Sequence, residues 1–455
     1  MTVTAPPATT TPLFGARYRA ATAGSVALIF VAAFESLAVA TVMPTVAADL
    51  GGEQWYALAF SATVAAGVVG MVAAGTWADR VGAARPLLAS VALFAVGLLL
   101  AGLTPSMEGF VLGRFAQGLG GGGLTVALYV LVAQVYDEVD RPRVLGVWAA
   151  AWVVPGLVGP ALAGVVADVV GWRWVFLGVV AIAAAAVLVL VPTLISLRSP
   201  DGEKSAPVPP AGDHWRRLGL AVVVAASILL VSLSPGSGAT GAVLALAAVV
   251  AALAAVRPLL PVGTFRGAPG LPAVIGVRGL AAAAFFASEA YLPYLLQAQY
   301  DVEVWVSGLV LTAATLGWAG ASQVQGRLGA RAADATLLRT GAALVLAGVA
   351  GILLVAAGGL PALLVGVGWL VTAAGMGLLY PRATSAVLAR ASAAERGNAS
   401  AAIALSDATG AATALAVTGL VFTAAGGADV LGAFVAVLAL TTALGALGVA
   451  VSRRA

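Results

Sequence analysis

Residues 175–195 read VFLGVVAIAAAAVLVLVPTLI, a run without a single charge. Wound as an α-helix at about 1.5 Å per residue it reaches roughly 30 Å, the depth of a bilayer's hydrocarbon. Apolar runs recur along the chain, among them 91–103 and, interrupted only by Arg339 near its start, 337–357, with their flanks. The whole sequence is 61% hydrophobic and only 9% charged, with a mean hydropathy of +1.05, whereas a soluble domain carries about 25% charge. No water-soluble core hides that much apolar side chain, so the bilayer is the solvent and the fold class is all-α integral membrane.

Charged residues and Gly/Pro breaks divide the chain into spans near 22–48, 56–76, 86–104, 108–135, 143–168 and 173–196, then two shorter ones near 218–233 and 239–256. Six more follow near 272–297, 305–326, 335–357, 361–388, 398–424 and 430–451, which makes 14. The two short spans flank Ser234 to Thr240, a turn with Pro and Gly and no charge, as suits a hairpin that crosses and returns. The expected organisation is a disordered Thr/Pro-rich tail over 1–16, a six-helix bundle over 17–197, a linker with two extra helices over 198–265, and a second six-helix bundle over 266–455.

Lys and Arg collect in cytoplasmic loops. With the N-terminus inside, 20 of the 23 basic residues are assigned to the inner side, Arg339 and Arg382 among them toward the inner ends of their spans, with Arg173 outside and Arg114 and Arg278 within spans. The outer loops carry acids instead: Asp49, Glu53, Glu108, Asp168, Asp301, Glu303 and Asp429. An even number of spans with both ends inside follows. The pI of about 9.7 does not point to nucleic acid, since the basic residues are scattered singly rather than arrayed along a stripe. Absence of cysteine removes disulfides and thiolate metal sites, and the single histidine, His214, leaves little for a histidine metal site. No HExxH, no nucleophile paired with His and no phosphate-cradling GKS or GKT occurs, so neither an enzyme nor a cofactor is expected.

Several motifs lie at telling positions. Between spans 2 and 3 stand Gly75, Asp79, Arg80, Gly82 and Arg85: glycines permit tight turns, and an acid and a base at a helix end can form a latch that breaks when that side opens. Span 4 holds Arg114, Gln117, Gly118 and Gly120. Arg114 sits roughly 9 Å inside the outer boundary by helix rise, a depth at which a guanidinium needs a partner. Span 5 holds Pro155, Gly156, Gly159, Pro160 and Gly164, small and bending residues that admit a neighbouring helix. In span 1, residues 35–44 read ESLAVATVMP.

The segment from Gly75 to Arg85 resembles the signature loop GxLaDrxGrr of the major facilitator superfamily, with Trp77 in place of the Leu and Ala83 and Ala84 in place of basic positions. The span 4 residues resemble that superfamily's RxxqGxg motif. Span 5 is similar to GxxxGPxxGG of its antiporter branch, with Pro155 at the first Gly and Ala163 in place of one of the last pair. Span 1 resembles the DxTIVNVALP stretch of the fourteen-span drug:proton antiporters, with Glu35 for Asp and with Leu37 and Ala40 at polar positions. A fainter repeat, Gly326, Arg327, Leu328, Gly329 and Arg331, occupies the matching place in the second half, as internal duplication would leave it. The resemblance implies two six-helix bundles with an inserted hairpin, in a bacterial inner membrane, with both termini cytoplasmic and the protein monomeric.

Three acids remain within spans once the loop charges are assigned: Glu35, Glu289 and Asp407. Acids in lipid mark functional sites by default. Glu35 is the first candidate proton carrier, with Arg114 as the partner that favours its ionised form; Glu289 and Asp407 are the further coupling candidates. Phe34, Phe286 and Tyr291 each lie within a turn of one of these acids and, with Glu35 and Glu289, form the candidate substrate site through apolar and cation–π contacts. The expected function is proton-coupled export of lipophilic or cationic small molecules, as in multidrug efflux and antibiotic resistance. The alternatives are a lipid or amphipathic metabolite exporter or flippase, and a proton-coupled nutrient symporter. The partners expected are the bilayer, protons and a small-molecule substrate, and no nucleic acid.

Overall fold

The computed structural model describes residues 12–137, 139–197, 211–234, 238–328, 331–390 and 396–455. Among them are 14 helices long and apolar enough to cross a membrane. These are α1 (Arg19–Asp49), α2 (Tyr56–Val81), α3 (Ala84–Leu103), α4 (Met107–Val135), α5 (Arg141–Val169), α6 (Arg173–Ser196), α7 (Ala211–Ser232), α8 (Gly238–Val256), α9 (Leu271–Tyr300), α10 (Val304–Leu328), α11 (Asp334–Ala357), α12 (Ala362–Arg390), α13 (Arg396–Ala424) and α14 (Leu431–Ser452).

The helices overrun the apolar spans, chiefly on the side where the termini emerge. Counting apolar residues stops where the hydrocarbon stops, whereas the backbone keeps its hydrogen bonds for another turn or two among polar side chains. Thus α2 continues through Asp79 and Arg80 to Val81, and only Gly82 and Ala83 separate it from α3. Gly82 closes the helix at φ +76°, a conformation open to glycine and strained for other residues. The Gln134 side chain of α4 accepts a hydrogen bond from the Ala83 N–H at 3.1 Å and so fixes this turn. Likewise α7 begins at Ala211, well before the apolar run at 218. Residues 198–210, which include the expected linker's Arg198 and Lys204, lie outside the described residues, as does Gly329.

Before α1, the turn over 12–18 is tied down. Leu13 is buried, its carbonyl accepts from the Thr22 hydroxyl at 2.7 Å, and Arg17 pairs with Asp137 at 2.9 Å.

Helix packing repeats between the halves. In the first, α4 lies between α2 and α3, while α1 packs on α5 and α6, and α3 touches α6. In the second, α12 lies between α10 and α11, α9 packs on α13 and α14, and α11 touches α14. The order is the same with each number raised by eight, as a duplicated unit gives. The glycine run of α4 explains the closeness of its sandwich. A methyl group added at Gly118 or Gly122 would collide with the backbone of α2 at Thr63 or Gly67, and one at Gly120 with the backbone of α3 at Phe94. Only glycine admits three helices at that spacing.

The halves meet as α2 on α13 and α5 on α10, with α1 against α9 between them. The hairpin α7–α8 sits beside this body, α7 packing on α2 and α13.

Candidate functional site

The span 5 motif forms one seam between the halves. A methyl group at Gly164 would lie 2.5 Å from the Trp305 Cα, and one at Gly308 of α10 would lie 2.5 Å from the Pro160 carbonyl oxygen. Gly156 faces Thr315 in the same way. The other seam is aromatic: Tyr56 of α2 lies 5.5 Å from Tyr291 and 4.6 Å from Tyr294 between ring centroids, and Phe422 of α13 lies 4.9 Å from Tyr291. The Tyr56 hydroxyl donates to the Ala290 carbonyl. Gln297 of α9 donates to the Thr41 carbonyl of α1 at 3.1 Å and to the Ser307 hydroxyl at 2.9 Å. All of these contacts lie in the half of the molecule away from the termini.

Deeper in the first half, Glu35 is 8% exposed and Arg114 is 4% exposed. The pairing expected from sequence is present: Arg114 Nη1 donates to Glu35 Oε1. The same nitrogen donates to Gln117 Oε1 at 2.6 Å, and Arg114 Nε donates to the Ala59 carbonyl of α2 at 3.4 Å. One guanidinium therefore joins α1, α2 and α4. Because two of its acceptors are neutral, it stays hydrogen-bonded if the carboxylate is withdrawn, and the loss is smaller than for a cation left bare.

A second ion pair lies in the other half, nearer the termini. Arg278 Nε donates to both carboxylate oxygens of Asp407, at 3.0 and 2.9 Å, and Nη2 lies 2.8 Å from Oδ2. Its Nη1 donates to the Tyr380 carbonyl at 3.2 Å and to the Thr384 hydroxyl, and the guanidinium stacks 4.1 Å over the Tyr380 ring. Sequence reasoning noted both charges but did not pair them. The available signal was depth: Arg278 lies about 10 Å and Asp407 about 16 Å along their helices from the same face, within reach of an extended Arg.

Glu289 is half-buried on α9 and has no hydrogen bond or ion pair among the described residues. Phe286, one turn before it, is also half-buried and packs edge-on to Phe285 at 5.3 Å. Phe285 in turn contacts Trp318 at 5.5 Å and stacks on Trp369 at 4.5 Å, so the wall beside Glu289 is aromatic. Phe34, half-buried, lies against Gly159 of α5. Tyr291 is placed differently from the other site candidates: it is 2% exposed and held between Tyr56 and Phe422 in the seam. Positions 289 and 291 are about 200° apart around a helix, so a residue two places from an acid faces away from it, whereas Phe286 at three places shares its face.

At the face bearing the termini, Asp79, Arg80 and Arg85 are exposed and make no ion pair among the described residues, and Gly75 and Gly82 both face α4 at Val126 and Gln134.

Comparisons with known proteins agree with this architecture. Multidrug resistance protein 3 of Bacillus subtilis is 28% identical over 148 residues, 32% of this chain and 29% of that protein. An uncharacterized MFS-type transporter of Mycobacterium tuberculosis is 32% identical over 212 residues, 47% of this chain. The matched stretch spans 29% of that relative's own length. Among solved structures, a POT family transporter in complex with 5-aminolevulinic acid superposes with a TM-score of 0.69 over 97% of this chain and 96% of its own, at 14% identity, which speaks to the fold alone. The family model described as Major Facilitator Superfamily matches residues 25–415. That match covers most of the helices just described, and the chain belongs to the Major Facilitator Superfamily, a family of membrane transporters.

Proposed function

We propose that the protein is a proton-coupled exporter of lipophilic or cationic small molecules that works by alternating access in a bacterial inner membrane, as a monomer with both termini in the cytoplasm. The observation that carries this reading is the Glu35–Arg114 pair, enclosed in the first half with Gln117 and Ala59 as reserve acceptors. A proton arriving at Glu35 neutralises the carboxylate and releases α1 from α4, while the guanidinium keeps two hydrogen bonds. Protonation then changes helix packing without abandoning a bare buried cation. Arg278 is built alike, with Thr384 and the Tyr380 carbonyl in reserve for Asp407.

Glu289 is the substrate-facing acid in this scheme. An unpaired carboxylate away from water is costly, so it calls for a proton or a cationic ligand; the half-buried Phe286, one turn away on the same helix, supplies apolar and cation–π surface beside it, and Phe34 of α1 is the further aromatic candidate. Tyr291 acts as part of the seam that shuts the far side. The aromatic and glycine seams away from the termini, together with unlatched Asp79, Arg80 and Arg85, support a conformation open toward the face of the termini. The excess of Lys and Arg on that face supports its being cytoplasmic.

The test is transport in proteoliposomes with imposed pH and voltage gradients, using ethidium as a lipophilic cation within a chemically varied panel. Wild type should move substrate against its gradient when protons run the other way, and Glu35→Gln should lose gradient-driven movement while staying folded. Gradient-driven export that survives Glu35→Gln unchanged removes Glu35 from coupling. Substrate moving with the protons selects the symporter reading instead.

A further inference from the structure

Between the hairpin and the second half lies a groove of about 630 Å³ that the transport scheme does not use. Its walls are α8 on one side and α9, α13 and α14 on the other, and the turn over 264–267 closes its end near the termini. Its volume falls within the range of about 300–1,000 Å³ typical of ligand sites.

The lining is graded along the membrane normal. At the mouth stand Arg266 and Arg454, both exposed, neither with an acidic partner among the described residues. No Asp or Glu occurs anywhere in 238–270 or 431–455, so nothing in those segments neutralises them. Further in comes Thr409, which is 4% exposed and whose hydroxyl has no hydrogen-bond partner. The depth follows from close contacts. Gly276 abuts the Thr264 carbonyl, and Gly279 abuts Gly410, the neighbour of Thr409; these α9 glycines are three residues apart, about 4.5 Å by helix rise. One turn further along α13 the Thr413 hydroxyl likewise has no hydrogen-bond partner, and beyond it the walls are apolar, with Val417 and Leu444.

Cations at a membrane surface, a hydroxyl donor one step deeper and an apolar slot beyond match the order of an anionic lipid: headgroup, ester carbonyl, acyl chain. We infer that this groove is a binding site for an anionic phospholipid of the surrounding leaflet, with its phosphate at Arg266 and Arg454, an ester oxygen within reach of the Thr409 hydroxyl, and an acyl chain laid along α8. The occupant holds the hairpin against the second half by filling the space that α8 leaves. The site stands apart from Glu35 and Glu289, so it holds whether or not the coupling scheme does.

The experiment is native mass spectrometry of the full chain in detergent, titrated with dioleoyl phosphatidylglycerol or dioleoyl phosphatidylcholine. Wild type should retain one phosphatidylglycerol at least tenfold more tightly than phosphatidylcholine. Removing both cations with Arg266→Gln/Arg454→Gln should weaken that retention by more than tenfold, at roughly fivefold for each basic residue near a lipid surface. Ala450→Trp fills the groove from an exposed wall position and should also remove the tight phosphatidylglycerol. Arg19→Gln, which removes an exposed charge in the other half, should leave it in place. Equal retention of the two lipids overturns the inference. So does tight phosphatidylglycerol that survives the double Arg variant, or that survives Ala450→Trp, since a headgroup held without the groove is not this site.

Discussion

Replacing Glu35 by Ala leaves the Arg114 guanidinium 4% exposed with only Gln117 Oε1 at 2.6 Å and the Ala59 carbonyl at 3.4 Å. Removing one member of a buried ion pair costs about 3–5 kcal/mol when the other charge is left bare, and the two neutral acceptors hold the cost here to the lower end, about 3 kcal/mol. Replacement by Gln keeps an acceptor oxygen at the same reach, so only the charge-assisted part of the bond is lost, about 1–2 kcal/mol. Removing both charges in Glu35→Ala/Arg114→Ala leaves no buried charge unpaired, and only the neutral Gln117 Oε1 loses its donor. Its destabilisation should therefore fall short of the sum of the single variants by at least about 2 kcal/mol. The assay is reversible unfolding of the purified protein in mixed micelles as sodium dodecyl sulfate is raised, followed by tryptophan fluorescence, for wild type and the four variants. Strict additivity of the two Ala variants, or Glu35→Gln as damaging as Glu35→Ala, would refute the claim that this pair is held by charge with neutral acceptors in reserve.

Other outcomes follow from the same geometry. Glu289→Gln should sharply weaken movement of ethidium while leaving uncharged members of the panel within about threefold, measured as initial rates in proteoliposomes. Gly164→Val places a branched side chain against the Trp305 backbone and should open the seam away from the termini. In this cysteine-free chain, that shows as faster labelling by a water-soluble maleimide of a cysteine introduced at the buried Ser307. Asp407→Asn should lower stability less than Asp407→Ala, because Arg278 keeps Thr384 and the Tyr380 carbonyl, and the same unfolding assay reads the difference. Gly82→Ala forces a side chain into φ +76° and should cost about 1 kcal/mol in that assay.

The span count and the pairing of Glu35 with Arg114 were legible because both rest on one-dimensional facts: apolar length, and the expense of a charge at a given depth. Span ends were less legible, since α2 and α7 run on through residues such as Asp79, Arg80 and Arg216 that no apolar count includes. The Arg278–Asp407 pair was hidden because its partners lie 129 residues apart and each has a bland reading alone. Tyr291 was chosen by distance along the chain, whereas angle around the helix sets it between Tyr56 and Phe422. The backbone carbonyls among the reserve acceptors, Ala59 for Arg114 and Tyr380 for Arg278, cannot be found from side-chain identities at all.

The glycine-lined sandwich of α2, α3 and α4 bears on how a proton would be sensed. Arg114 belongs to that tightly bonded slab, whereas Glu35 belongs to α1, which leans on α5 and α6 instead. The ion pair thus pins two plates of one half together, not one half to the other. Under the proposed coupling, neutralising it would first permit slippage inside the first bundle, and α5, carried along with α1, would transmit that slip to α10 through the shared seam. Domain rocking would then be the downstream effect of an internal shear, with the glycines of α4 setting which plate stays stiff.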